Sequence, residues 1–223
     1  MKVIINGAMT LDGKIATVSG DSRISSRQDL IRVHRLRASV DAIVVGISTI
    51  LADDPRLTVR LAKGPNPARV IVDSRGRLPI ESRVLRTAGD VRTIVAVTSK
   101  APEEKISKLR DAGAEVLVVK QGSGTTAAVP GGVDLKELFS MLEKMGMKKI
   151  LVEGGGELNW SLLRLGLVDE LNVTIAPKIA GGRLATTIVE GDGVDQISDG
   201  IKLMLERVER KKTGELVLRY RPG

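Results

Sequence analysis

With 223 residues and a formal charge of +8 (35 Lys and Arg against 27 Asp and Glu), the chain has the length of one large domain; 42% hydrophobic and 28% charged residues exclude disorder as its main state. The absence of Cys excludes disulfides, thiolate metal sites and cysteine nucleophiles, and the lone His34 excludes a two-histidine centre and argues against a Ser–His triad, so no metal site is expected. A single Trp, Tyr and Phe leave the core to Val, Ile, Leu, Ala and Met and offer few stacking side chains for nucleic acid.

In chain order, residues 2–8 read as a strand and 26–39 as a helix, with Ser25 or Ser26 as N-cap. Residues 41–46, 69–73 and 93–97 are apolar strands. A helix over 102–112 has Pro102 near its first turn and Gly113 beyond its end. Strand 115–120 leads into a Gly-, Thr-, Ala- and Pro-containing loop at 121–132. Helix 135–145, strand 149–153, helix 157–165 and strand 171–177 follow. Residues 202–209 and 215–221 form an antiparallel pair around a turn containing Gly214.

Continuous apolar strands alternating with helices imply an α/β fold: a mainly parallel central sheet with flanking helices and an antiparallel C-terminal edge. No linker divides the chain, so residues 1–223 read as a single domain. No apolar stretch approaches the ~18–20 residues of a membrane span. The apolar start at 1–5 meets Asn6 and Gly7 too early for a signal peptide. The expectation is a cytoplasmic protein with no membrane or nucleic-acid partner. Acids interspersed among the bases make the positive balance either a solvated surface or a cleft for a small phosphorylated ligand. Strand 171–177 and the C-terminal pair are candidate dimer surfaces, because an apolar edge would otherwise stay exposed.

Ligands of such sheets bind beyond the carboxyl ends of the strands. Three ends stand out: Gly46 with Ser48 and Thr49, Asp73 with Ser74, Arg75 and Arg77, and Glu153 with Gly154, Gly155 and Gly156. A glycine turn before a helix lets backbone N–H groups meet a phosphate, although a tight turn with no ligand reads equally well. Glu153 directly follows Ile150-Leu-Val152 and so stands where a buried strand opens into a cleft. Asp53-Asp54-Pro55 resembles a turn or helix end. Arg37 lies seven and four residues after Leu30 and Val33, an arginine on an apolar helix face that either snorkels or enters a site. Arg56 and Arg60 point to one side if residues 56–60 are extended, which suits a phosphate. His34 reads as a helix-face residue.

Further segments occur in order: Met9-Thr-Leu-Asp-Gly-Lys-Ile-Ala16, Gly20-Asp-Ser-Arg-Ile-Ser25, Leu51-Ala-Asp-Asp-Pro-Arg-Leu-Thr58, Val72-Asp-Ser-Arg75, Glu153-Gly-Gly-Gly-Glu-Leu-Asn159 and Ile175-Ala-Pro-Lys-Ile-Ala-Gly-Gly182. Together they resemble the reductase family of riboflavin biosynthesis, in its stand-alone archaeal and fungal form, over nearly the whole chain. The resemblance implies a dihydrofolate-reductase-like fold, a homodimer and a small phosphorylated pyrimidine substrate. It also implies hydride transfer from a nicotinamide cofactor to the sugar C1′ of a ring-opened imine, giving a ribitylamino product. The cofactor would lie along Ala8, Ser22, Thr49, Asp53, Ser74 and Gly155, Gly156, Glu157, Leu158, Asn159, Trp160 and Ser161, with Gly154 in the same turn. The substrate would be held by Arg37, Arg56, Arg60 and Glu153. Ser74, Arg75 and Arg77 could receive a 2′-phosphate, favouring NADPH over NADH, with NADH still possible. No catalytic proton donor is identified; water or the substrate itself would serve.

Two other readings use the same residues. Another pteridine- or pyrimidine-directed reductase of this fold needs an early carboxylate against the heterocycle, and Asp12 is poorly placed in a turn-like Leu-Asp-Gly. A non-catalytic nucleotide-binding module needs the cofactor strip but not the arginines with Glu153.

Overall fold

The computed structural model describes residues 1–123 and 131–223; the interior of the 121–132 loop therefore lies outside the described residues. The elements are β1 (Lys2–Thr10), α1 (Arg27–Arg37), β2 (Ala42–Gly46), α2 (Ile47–Asp53), β3 (Ala68–Val72), α3 (Arg83–Arg86), β4 (Thr93–Val97), α4 (Glu103–Asp111), β5 (Glu115–Val118), α5 (Leu135–Lys144), β6 (Lys149–Val152), α6 (Gly156–Arg164), β7 (Glu170–Ala176), β8 (Leu203–Arg210) and β9 (Leu216–Pro222). They match the strands and helices read from the pattern to within a few residues. The short helices α2 and α3 were not foreseen, except that Asp53-Asp54 does close a helix: Asp54 takes the left-handed cap at φ 39°.

The described strands form one sheet in the order β5-β4-β3-β2-β6-β1-β7-β9-β8. All pairings from β5 to β7 are parallel, and β7–β9 and β9–β8 are antiparallel. The chain starts in the middle, steps outward through β2 to β5, and returns with β6 between β2 and β1. That return is the topological switch, and it brings the carboxyl ends of β1, β2 and β6 together.

Alternate residues of the parallel strands feed cores on opposite faces. Ala42 and Val44 pack with α5 and α6 residues Leu138, Phe139 and Leu162. Ile43 and Val45 pack with Ile50, Leu85, Ile106 and Leu109 from α2, α3 and α4. α5 is capped by Asp134, whose carboxylate accepts Glu137 N. Ser26 caps α1 by accepting Asp29 N. Arg69, wholly buried in β3, donates to the Thr87 and Thr93 hydroxyls and to the Thr87 and Val91 carbonyls, which answers its donor-only guanidinium.

Two expectations change. Strand 171–177 is not an edge, because β1 and β9 pair with its two sides. The edge on this side of the sheet is β8, where Leu203, Met204, Leu205 and Val208 stay exposed. The apolar face expected on α1 is also absent. Leu30 is 43% exposed, and the buried residues of the helix are Asp29 and His34, because the sheet beneath presents polar Asn6 and Thr174. No described helix is long and apolar enough to cross a membrane.

Candidate functional site

The ends of β2 and β6 are zipped together: Glu153 N donates to Val44 O (3.1 Å) and Gly46 N to Gly154 O (3.0 Å). Glu153 is thereby fixed at the mouth of the sheet. From α1, Arg37 meets it with a two-pronged ion pair, Nε to Oε1 at 2.9 Å and Nη2 to Oε2 at 2.7 Å. Its third arm, Nη1, reaches Thr58 O at 3.1 Å. Both side chains are nearly buried, at 13% and 10% exposure. Burial opposes the Arg37 charge, and Glu153 more than offsets that, leaving the guanidinium pKa raised. Each Glu153 oxygen keeps one lone-pair direction for a further donor.

Residues 56–60 are not a strand. Leu57 has φ 50°, which breaks the pleat, so the even spacing of Arg56 and Arg60 does not place them on one side. The segment is instead tied to α1. Arg60 N donates to His34 Nδ1 (2.9 Å), and Arg60 Nη1 to Thr58 Oγ1 (2.9 Å). Both arginine side chains remain exposed. His34 is a buried acceptor on the helix face. Burial first, then the Arg37 and Arg60 charges, hold its pKa below the ordinary imidazole value.

On the other flank of Glu153, Gly154 has φ 98°, which favours glycine, and Gly155 is the N-cap of α6 with no side chain to accept the first helical N–H groups. A Cβ on Gly155 would touch only Thr49 Oγ1, at 3.6 Å. Gly156 is required for a different reason: a Cβ there would lie 2.9 Å from Thr187 O and 2.7 Å from Glu190 Cγ, where residues 187–190 cross the helix. Ser22 Oγ and Asp53 Oδ1 face each other at 3.4 Å, and burial raises the Asp53 pKa. Ala8 lies in β1, opposite Thr174 of β7.

The remaining cofactor candidates divide. Leu158 sits in the core, and Ser161 Oγ turns back to Glu157 O, so both have packing roles. Asn159 Nδ2 donates to Ile188 O at 2.8 Å, while its buried Oδ1 and the Trp160 Nε1 have no partner among the described residues. Glu157 is exposed; burial, then Glu190 and Asp192, raise its pKa. Ser74, Arg75 and Arg77 lie on the turn after β3, two strands from Glu153 and at the same edge of the sheet. Asp73, which is fully buried, organises that turn by accepting Leu78 N at 2.8 Å.

Sequence reasoning missed Thr58, Asp73 as a buried organiser and the 187–190 crossing. Only Asp73 had a local signal, as a polar residue closing an apolar strand. The structure also tests the early carboxylate required by a pteridine-type site. Asp12 accepts Thr10 Oγ1 and the Ala180 and Gly181 N–H groups; these bonds lower its pKa to about 2 and make it a turn clasp. Asp29 is fully enclosed by Ser25, Arg32 and Thr174. Asp29 is therefore closed off, whereas Asp12 stays exposed just beyond the carboxyl end of β1 with its oxygens engaged in the turn.

A parallel sheet with a glycine turn at a helix N-terminus and a carboxylate–guanidinium pair at its switch point defines a doubly wound α/β protein, a fold whose ligands bind at such switch points. Residues 1–217 match the model of the RibD C-terminal domain, and the chain belongs to that family. It is 50% identical over 208 residues to 2,5-diamino-6-ribosylamino-4(3H)-pyrimidinone 5′-phosphate reductase of Methanothermobacter thermautotrophicus, covering 92% of this chain and 91% of the relative. It is 42% identical to the protein of the same name from Archaeoglobus fulgidus, covering 93% and 92%. Among solved structures it is similar to Acinetobacter baumannii RibD, with TM-score 0.80 and 27% identity over the whole chain; it spans 58% of that longer protein.

Proposed function

We propose that this protein is an NADPH-dependent oxidoreductase that reduces the ribose of 2,5-diamino-6-ribosylamino-4(3H)-pyrimidinone 5′-phosphate to the ribitylamino product in riboflavin biosynthesis. The observation that carries the reading is the Arg37–Glu153 pair beside the Gly154–Gly156 turn, in a chain half identical to an archaeal reductase so named. The residues present fit a dinucleotide: the uncapped N–H groups of α6 beside open space at Gly154 suit a pyrophosphate, and the Asn159 and Trp160 polar atoms without partners among the described residues lie on the same helix. Held along these residues, a reduced nicotinamide would supply a hydride for the sugar C1′ of the opened imine, with the balancing proton from water or the substrate itself.

The chain's own part is positioning. Glu153, held by Arg37, turns its free lone pairs to amino or hydroxyl donors of the substrate. With Arg37 committed to Glu153, the exposed Arg56 and Arg60 are the cations left for the 5′-phosphate. Ser22, Thr49, Asp53 and the Ser74, Arg75 and Arg77 turn line the cofactor's course. The exposed apolar side chains of β8 support a homodimer. The deciding experiment mixes purified protein with NADPH and the ribosylaminopyrimidine phosphate and follows the dihydronicotinamide absorbance. A fall dependent on both components is expected; no turnover with NADPH or NADH overturns the proposal.

A further inference from the structure

A second basic cavity, of about 290 Å³, lies between α1 and the β8–β9 hairpin. Arg32 and Arg35, three residues apart on one flank of α1, line it together with Ser39 in the turn just beyond the helix. Arg207 and Glu209 of β8, Arg219 of β9 and Asn172 of β7 supply the other wall. This is not the crevice. Asn172 pairs in register with Asn6 and Arg219, in the amino half of β7, whereas Glu153 and the glycine turn follow the carboxyl end of β6.

The four guanidiniums are not equivalent. Arg32 is neutralised by Asp29 at 2.7 Å, and Arg219 faces Glu170 at 3.3 Å. Glu209 is held by Lys211 at 2.6 Å, with Arg207 and Arg32 adding weaker attraction. The guanidiniums of Arg35 and Arg207 make no hydrogen bond or ion pair within 4.0 Å to any described residue. Two uncommitted planar forks facing one concavity are suited to the several oxygens of a phosphoryl group. The volume sits at the small end of ligand cavities, roughly 300 Å³ upward.

We infer that this cavity is a second, non-catalytic binding site for a small phosphate-bearing anion, gripped by Arg35 and Arg207. Helix α1 carries the site on one flank and the Arg37–Glu153 pair near its C-terminal end, so occupancy ties the helix to the hairpin next to the crevice.

The test titrates inorganic phosphate calorimetrically, at constant ionic strength, into the Arg56→Ala/Arg60→Ala protein, which removes the phosphate arginines proposed for the crevice. Binding is expected there, weakened at least tenfold by adding Arg35→Gln/Arg207→Gln. These are exposed positions whose glutamines keep part of the stem, and thermal unfolding checks that the fold is intact. Adding Arg86→Ala/Lys144→Ala, which removes equal charge elsewhere, is expected to leave affinity within twofold. Three results overturn the inference: no phosphate binding in the starting protein, equal weakening by both pairs, or weakening by Arg35→Gln/Arg207→Gln only together with dissociation of a dimer. Because the crevice arginines are absent throughout, failure here leaves the reductase reading untouched.

Discussion

The sheet has two halves that treat apolar surface in opposite ways. In β2, β3, β4 and β6 the apolar side chains are buried against helices on both faces. In β8, residues Leu203 to Val208 are all exposed, apolar and charged alike. The parallel half carries its own cover, because each crossover connection lays a helix or loop on the sheet. No described helix covers β8, so its apolar side chains stay open to another surface, whereas Val217 of β9 is buried within the chain. Glu153 and the Gly154–Gly156 turn leave the covered half at the end of β6, which suits positioning chemistry.

This contrast can be broken at graded cost. Ile43→Ala, in the doubly covered half, is expected to lose about 2–5 kcal/mol of unfolding free energy by denaturant titration; a loss below about 1 kcal/mol would mean that half is loosely packed. Glu153→Gln removes one charge at the rigid mouth. Its kcat/KM is expected to fall roughly ten- to a thousand-fold, about 1.4–4 kcal/mol, with NADPH affinity near wild type. If NADPH binding collapses while substrate binding survives, Glu153 belongs to the cofactor side.

His34 ties the 56–60 segment to the rigid half only while its Nδ1 is unprotonated. Its folded pKa is lowered by burial and by Arg37 and Arg60, so the unfolded chain takes up the proton first as pH falls. Stability should therefore decline as pH drops through the unfolded value of about 6.5. His34→Gln, which keeps an acceptor, should flatten that decline between pH 7 and 5 in urea titrations. An unchanged slope would remove His34 as the cause. A smaller effect is expected at the exposed β3 turn: Arg75→Ala should reduce the NADPH-over-NADH preference by no more than about fivefold, since a solvated ion pair is worth ~0–1 kcal/mol. Equal affinities before and after leave the 2′-phosphate site without support.

The smallest expected energy lies at the hairpin. Leu205→Ser and Val208→Ser should each change monomer stability by no more than about 0.5 kcal/mol. Together they should shift the protein from dimer to monomer on gel filtration. A monomer before and after substitution would break the proposed homodimer.

The strands, the long helices and Glu153 were legible because each is signalled locally, by an apolar run, a cap or a polar residue ending a strand. Gly154 was legible for the same reason. Gly156 was assigned to a phosphate turn, yet its missing Cβ is accounted for by the 187–190 crossing, which is distant in sequence. Arg37 was singled out from a supposed apolar face. It does point inward, but the face is polar, because Asp29 and Arg32 pack on Asn6 and Thr174. Arg56 and Arg60 were related by a strand spacing that the positive φ of Leu57 cancels.

By itself, then, the sequence determined the alternation of strand and helix, the antiparallel ending and the ordered segments that mark the family, since periodicity, caps and glycine turns act within a few residues. Tertiary structure decided which edge is exposed, why each glycine is needed, and that Arg37 is spent on Glu153, 116 residues away. Those outcomes depend on strand order: only when β6 returns between β2 and β1 do the two charges meet in a place too dry for either to remain alone.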